Sequence, residues 1–238
     1  MLQTGTVNED LLKVLREIQS DNLFADFALV GGTALALQIG HRESVDIDLF
    51  TAEIIHQQKI EEYLQVHYKD AYEIIHSEDA ILQLIIGGNE EKQIKVDFVS
   101  TEAMRHLLEP VNKEDGIRYL GLKDITAMKL RAIENKRNKA KDFIDICYLL
   151  EIFTLDDAFE FYKYKYQTDS IIDVKKALSE SSIVNPYEWE TIKMLKHDFF
   201  ISDVKRMLDT KITEYDKTHR LPLHKKFCTA YGKIFRSL

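Results

Sequence analysis

Partway along this chain the periodicity of its apolar residues changes, and that change limits the fold more than any other feature. Before residue 110, short apolar runs alternate with turns and single helices. After Pro110 and Gly116, the apolar stretches recur at helical spacing. In the first part, Leu11, Leu12, Val14, Leu15 and Ile18 follow Asn8, Glu9 and Asp10, the pattern of a capped amphipathic helix. Residues 27–30 form a short buried-strand run closed by Gly31-Gly32, and 33–39 return to helix formers. Residues 45–50 alternate with a period of two, which predicts a strand. A helix is expected over 54–68, then strands over 72–76, 81–86 and 93–99, with Gly87-Gly88-Asn89 as the turn between the last two. In the second part, helices are expected over 122–135, 140–151, 155–166, 173–179, 187–197, 204–215 and 225–235. The class is therefore α+β: an N-terminal mixed sheet with flanking helices, then a C-terminal helical bundle. The expected division is 1–115 and 116–238, with a cleft between the two parts.

Composition narrows the function classes. Of 238 residues, 45% are hydrophobic and 30% charged, which suits a packed core and excludes a disordered chain. Cys147 and Cys228 have no CxxC spacing, so neither a disulfide framework nor a cysteine zinc site is expected; both read as small hydrophobes. The first ten residues lack a basic start and an apolar run, and no apolar stretch reaches the ~20 residues of a spanning helix. The expectation is a cytoplasmic protein with no membrane partner. Net charge is -8, divided into -14 over residues 1–190 and +6 from Thr191 onward. Residues 121–141 add a second basic stretch, with seven basic and two acidic residues. An acidic body with local basic patches disfavours sequence-blind coating of nucleic acid and permits a focused phosphate site.

The chemistry concentrates in two segments, 30–35 and 42–50. Asp46 and Asp48 stand two apart on a strand, so they share a face. Adjacent carboxylates repel unless a cation neutralises them, and all-oxygen ligands suit Mg²⁺ or Mn²⁺; the competing reading is a polar strand face that happens to hold two Asp. Gly31-Gly32 ends a strand and opens a helix, which frees backbone N–H groups for a phosphate, with the Thr33 hydroxyl as a further donor. A plain tight turn is the alternative. Asp97 alternates with Lys95 on one face of a later strand, opposite Val96 and Phe98.

The order Gly31-Gly32-Thr33, Asp46-Ile-Asp48, Asp97 resembles the DNA polymerase β-like nucleotidyltransferase superfamily. With Arg42-x-Ser44, Lys129 and Lys139-Ala-Lys-Asp142-Phe-Ile-Asp145 added, the chain resembles the AbiEii/AbiGii toxin family over residues 27–150. The resemblance implies a nucleotidyltransferase that moves a nucleotide from an NTP to an acceptor, RNA and specifically a tRNA 3′ end, in a toxin–antitoxin or abortive-infection system with a cognate antitoxin. It implies Mg²⁺ or Mn²⁺ on Asp46, Asp48 and Asp97, and phosphates on Gly31, Gly32 and Thr33. Lys129 would contact the triphosphate, with Arg42 as a helper. Asp142 or Asp145 would belong to a later active-site motif, and the sequence does not choose between them.

Lys129 lies on an apolar stripe with Ile125 and Ile133, so it either snorkels or faces a cleft holding an anion. Lys141 and Asp145, at i and i+4, read as an ordinary surface pair. His41 reads as a solvated loop residue, Tyr162 and Tyr166 as packing aromatics, and Trp189 as core. Lys225 and Lys226 are candidate RNA contacts. Two other functions fit the same residues: a nucleotide-binding module without catalysis, and a transferase that modifies protein.

Overall fold

In the computed structural model, residues 1–87, 93–135, 139–181, 184–197 and 199–219 are described. The turn expected at Gly88-Asn89, the helix expected over 225–235, Lys225, Lys226 and Cys228 lie outside them. The described chain is α+β, a mixed seven-stranded sheet with helices followed by a run of helices. Among the described residues no helix is long and apolar enough to cross a membrane.

Helix α1 (Glu9–Ser20) starts where Asn8 accepts a hydrogen bond from the Leu11 N–H, 2.6 Å away. Strand β1 (Ala28–Leu29) leads into α2 (Gly31–Ile39), and β2 (Asp46–Thr51) follows. After α3 (Gln57–His67) come β3 (Tyr72–Glu78), β4 (Ile81–Ile86) and β5 (Ile94–Ser100). A hairpin of β6 (Asn112–Glu114) and β7 (Ile117–Tyr119) completes the sheet, in the order β3-β4-β5-β2-β1-β7-β6. Among the described strands, β2–β5 and β1–β7 pair in parallel and the other neighbours antiparallel.

The sequence has the chain turn helical after Pro110 and Gly116, with the first helix at 122 and no strand expected in between; this hairpin adds two. Asp115 and Gly116, both at positive φ, form its two-residue turn. Ile117 is fully buried, and β7 pairs with β1 through Leu29 and Tyr119. Both strands belong to the sheet, on either side of position 115.

The two faces of the sheet differ. On one, Ile47, Leu49, Leu82, Leu84, Val96 and Phe98 are buried. Phe98 stacks on Phe24 at 5.3 Å, and Tyr63 of α3 meets Phe24 edge-on at 4.9 Å. The other face carries Asp46, Asp48, Lys95, Asp97 and Gln83 (the one polar residue of β4), all only partly buried.

The helical part runs α4 (Leu122–Glu134), α5 (Ala140–Leu149), α6 (Leu155–Tyr166), α7 (Ile172–Ser179), α8 (Pro186–Glu190) and α9 (Ile201–Thr218). Helices α4 and α5 pack on α2, which carries them to the Asp-bearing face. The helix expected over 187–197 stops at Glu190. Beyond it the backbone pairs with the loop before β2: the Glu43 N–H donates to Lys193 O and the Leu195 N–H to His41 O, each at 2.9 Å. Tyr162 is buried, as expected of a packing aromatic, and Tyr166 and Trp189 pack against the core.

Candidate active site

Strand register brings the three carboxylates together. In the parallel β2–β5 pair, Asp48 lies directly opposite Asp97 and Asp46 opposite Lys95. In the antiparallel β4–β5 pair, Gln83 lies opposite Asp97. One row across three strands is thus Gln83, Asp97, Asp48. The glycine turn closes on the end of that row, where the Val30 N–H donates to Asp48 O at 2.9 Å. Gly31 has φ +68°, and a Cβ there would collide with Asp48 Oδ2. A Cβ on Gly32 would collide with Arg42 Nη2. Two glycines are required because the backbone passes against side chains of the site.

Helix α2 has no side-chain cap among the described residues, so the N–H groups of its first turn remain available to an anion. The Thr33 hydroxyl is not among those donors. It is fully buried and bonded to Asp46 O and, at 2.8 Å, to Ser44 Oγ. The expectation that this hydroxyl meets a phosphate is corrected: only the backbone N–H of Thr33 remains for that task, and its side chain ties α2 to the start of β2.

Charge is held in two layers. In the upper layer Lys141 Nζ lies 3.0 Å from Asp46 Oδ2. Lys95 Nζ and Gln83 Nε2 donate to Asp97 Oδ2 at 2.8 and 2.9 Å. Among the described residues, Asp97 Oδ1 is buried without a hydrogen-bond partner. Asp48 is pushed up to about 6, first by burial and then by the neighbouring charges of Asp97 and Asp46. Among the described residues, no three ligand-type side chains stand close enough to hold a metal ion as they are. The two lysine ammonium groups do part of the neutralising instead.

The lower layer is a buried network under the turn. Asp145, with no exposure, accepts from Arg42 Nε at 2.7 Å and Arg42 Nη2 at 2.8 Å, and pairs with Lys129 Nζ at 2.7 Å and His41 Nε2 at 2.7 Å. Lys129 also bonds Asp142 Oδ1 at 2.7 Å. Burial opposes the Asp145 charge, but Arg42 and Lys129 outweigh it and hold that carboxyl well below the carboxylate range. Burial likewise opposes the Lys129 and Arg42 charges, and the carboxylates outweigh it, so both cations are held more firmly protonated. His41 goes the other way: burial dominates its Asp145 bond and lowers it, favouring the neutral ring. Two cations and two anions therefore balance.

Several expectations change here. His41 is not solvated; it has no exposure and lies edge-on to Tyr148 at 5.0 Å. Lys141 and Asp145 do not form a surface pair, since Lys141 reaches Asp46 while Asp145 points into the core. Lys129 does not snorkel; it is buried against two carboxylates. Arg42 is committed to Asp145 beneath the turn and is not an open phosphate ligand. Sequence reasoning gave no role in the constellation to His41, Ser44, Gln83 and Lys141, though Ser44 and Lys141 stand inside the motifs that carry the resemblance. Gln83 carried a signal of its own, as the one polar residue in β4.

Comparison with known proteins gives this geometry a family. Residues 13–218 match the nucleotidyl transferase AbiEii toxin family of type IV toxin–antitoxin (TA) systems. A protein of Aquifex aeolicus (strain VF5) described as uncharacterized is 30% identical over 214 residues, covering 83% of this chain and 95% of that one. Two solved structures share the fold. The crystal structure of JHP933 from Helicobacter pylori has a TM-score of 0.59 at 18% identity, covering 93% of this chain and 94% of that one. MenT4, a nucleotidyltransferase toxin from Mycobacterium tuberculosis H37Rv, has a TM-score of 0.59 at 12% identity, covering 91% and 85%. With the match spanning the sheet, the glycine turn and the helices to α9, the chain belongs to the AbiEii family of nucleotidyltransferase toxins of type IV TA systems.

Proposed function

We propose that this toxin transfers a nucleotide from an NTP to an RNA acceptor, a tRNA 3′ end, in a reaction dependent on Mg²⁺ or Mn²⁺. The observation that carries the reading is the cross-strand row: Asp48 opposite Asp97, with Asp46 two residues away on the same face, beside Gly31. The residues present fit a divalent cation. Among the described residues Asp97 Oδ1 is buried and unpartnered, and Asp48 is raised to about 6 by burial first and then by Asp97 and Asp46, whose repulsion a cation would relieve. The donors are all oxygen, which suits a hard ion. Asp46, Asp48 and Asp97 would hold it. When bound, it supplies a Lewis acid that polarises the α-phosphoryl group and offsets charge on both attacking and leaving oxygens.

The chain's own residues do the rest. The first-turn N–H groups at Gly31, Gly32 and Thr33 receive the β- and γ-phosphates at the N-terminus of α2. Lys141, drawn off Asp46, offsets charge on the leaving pyrophosphate, and Lys129 adds its field at longer range from its buried pairing with Asp142 and Asp145. Asp97 stands on the β4 side of Asp48 in that row, and it would orient the acceptor hydroxyl and draw its proton. The hydroxyl oxygen bonds to the α-phosphorus, and the bond from that phosphorus to the α,β-bridging oxygen breaks. Asp145 acts through others: it fixes Arg42 under Gly32 and Lys129 beside Asp142. Residues 1–115 would then supply the metal carboxylates, and 116–238 would complete the cleft. A cytoplasmic site of action and a separately encoded antitoxin belong to the same proposal.

The test is to incubate the purified chain with each labelled NTP, a divalent cation and total cell extract, then resolve RNA from protein. Label in small RNA supports the proposal. Label in protein points to a protein-modifying transferase. Mg²⁺-dependent NTP binding without transfer points to a non-catalytic module.

A further inference from the structure

Gln83 stands out on a strand that has no other reason to hold it. Strand β4 reads Ile-Leu-Gln-Leu-Ile-Ile. Its inward residues Leu82, Leu84 and Ile86 are buried, and its outward neighbours Ile81 and Ile85 are apolar. An amide placed among these side chains is under-solvated unless it is bonded. Its partner is Asp97, directly opposite in register, and the bond runs from Gln83 Nε2 to Asp97 Oδ2 at 2.9 Å. Lys95 Nζ takes the same oxygen at 2.8 Å, from two residues earlier on the strand that carries Asp97. Two donors from different strands thus converge on one oxygen and leave the other, Oδ1, buried and unbonded.

We infer that Gln83 is a positioning residue: together with Lys95 it pins Asp97 through Oδ2 and keeps Oδ1 as the oxygen available to a divalent cation. This rests on the metal reading above and goes beyond it, since it concerns a neutral side chain that touches neither cation nor substrate. Outer partners of this kind orient ligating carboxylates, and removing one costs roughly 10–100-fold in metal affinity. A purely structural cross-strand pair would contribute only about 0.2–1 kcal/mol to stability and leave metal affinity alone.

The experiment titrates the full chain with Mn²⁺ alone, following free Mn²⁺ by electron paramagnetic resonance. Gln83→Met keeps the length of the side chain and removes the donor. The expected result is a dissociation constant for Mn²⁺ raised roughly tenfold, with the thermal transition of the metal-free chain within a few degrees of wild type. A rise of less than threefold overturns the inference, and any larger rise supports it. Gln83→Thr, β-branched and too short to reach Asp97, gives the same reading if Gln83→Met folds poorly. Asp48→Asn is run in parallel to separate the two levels. If Asp48→Asn loses Mn²⁺ binding and Gln83→Met does not weaken it, only the positioning role fails. If wild type binds no Mn²⁺, or Asp48→Asn binds it as tightly as wild type, the metal assignment fails and takes this inference with it.

Discussion

Asp48→Asn should make the metal-free protein more stable at neutral pH while removing its activity. The Asp48 carboxyl is raised to about 6, by burial first and by Asp97 and Asp46 next. In the unfolded chain the same group titrates near 3.9. A raised carboxyl means the folded state holds more protons between those two values, so folding is penalised above about pH 6 and relieved as pH falls toward 4. Two units correspond to about 3 kcal/mol at most. Asp48 keeps some contact with the cleft, which reduces this to about 1–3 kcal/mol. For a chain of this size that is a rise of roughly 2–10 °C in the thermal transition. The assay is urea unfolding of wild type and Asp48→Asn in chelator at several pH values from 4 to 8. The stability difference should favour the variant at pH 7.5 and shrink toward zero near pH 4. Taking the difference cancels the opposite trend from His41: its lowered ring makes both proteins lose stability as pH drops below about 6.5. A difference that is flat with pH, or that favours wild type at pH 7.5, would refute the crowding of these three carboxylates.

Asp145→Asn should destabilise the fold by about 3–5 kcal/mol, because it leaves Arg42 and Lys129 buried with less counter-charge; denaturant unfolding reads this, and a loss below about 1 kcal/mol would contradict the buried network. Gly31→Ala should lose transfer activity and at least about 1 kcal/mol of stability, since the residue sits at φ +68° and its Cβ would collide with Asp48; an active, stable variant would contradict the close approach. Lys141→Met should leave unfolding within about 1 kcal/mol of wild type, as expected for a half-exposed pair. Steady-state kinetics of the same variant should show KM for NTP rising about tenfold, the loss of one charged contact; unchanged KM would remove Lys141 from the phosphate site.

Much of the sheet was legible because its strands obey a simple rule of alternation. Residues 81–86 and 155–166 were read with the bounds the structure has, β4 from apolar density and α6 from helical spacing. The β6–β7 hairpin escaped because each strand has three residues, too few for alternation to register, although Asp115-Gly116 was a turn signal in plain view. The segment after Glu190 was misread because its partner is backbone 150 residues away: the Glu43 and Lys193 main chains pair, and tertiary pairing overrides local propensity. At the site, the Asp46–Asp48 spacing and the glycine turn were visible as a motif. That Asp97 faces Asp48 follows from register, which one strand alone does not specify. His41 could not be found from sequence, since a loop histidine carries no mark of its burial, and Lys141 looked bound to its own helix rather than to Asp46.

The most direct test of the central claim is to map where the nucleotide goes. Purified protein, Mg²⁺, α-³²P-labelled NTPs and deacylated tRNA are incubated, and the product is digested to its terminal nucleoside. The expected product carries a labelled nucleotide joined to the tRNA 3′ hydroxyl, with pyrophosphate released and nothing formed by Asp48→Asn. Label that never reaches RNA, or that Asp48→Asn transfers as well as wild type, would contradict an active centre built on Asp46, Asp48 and Asp97.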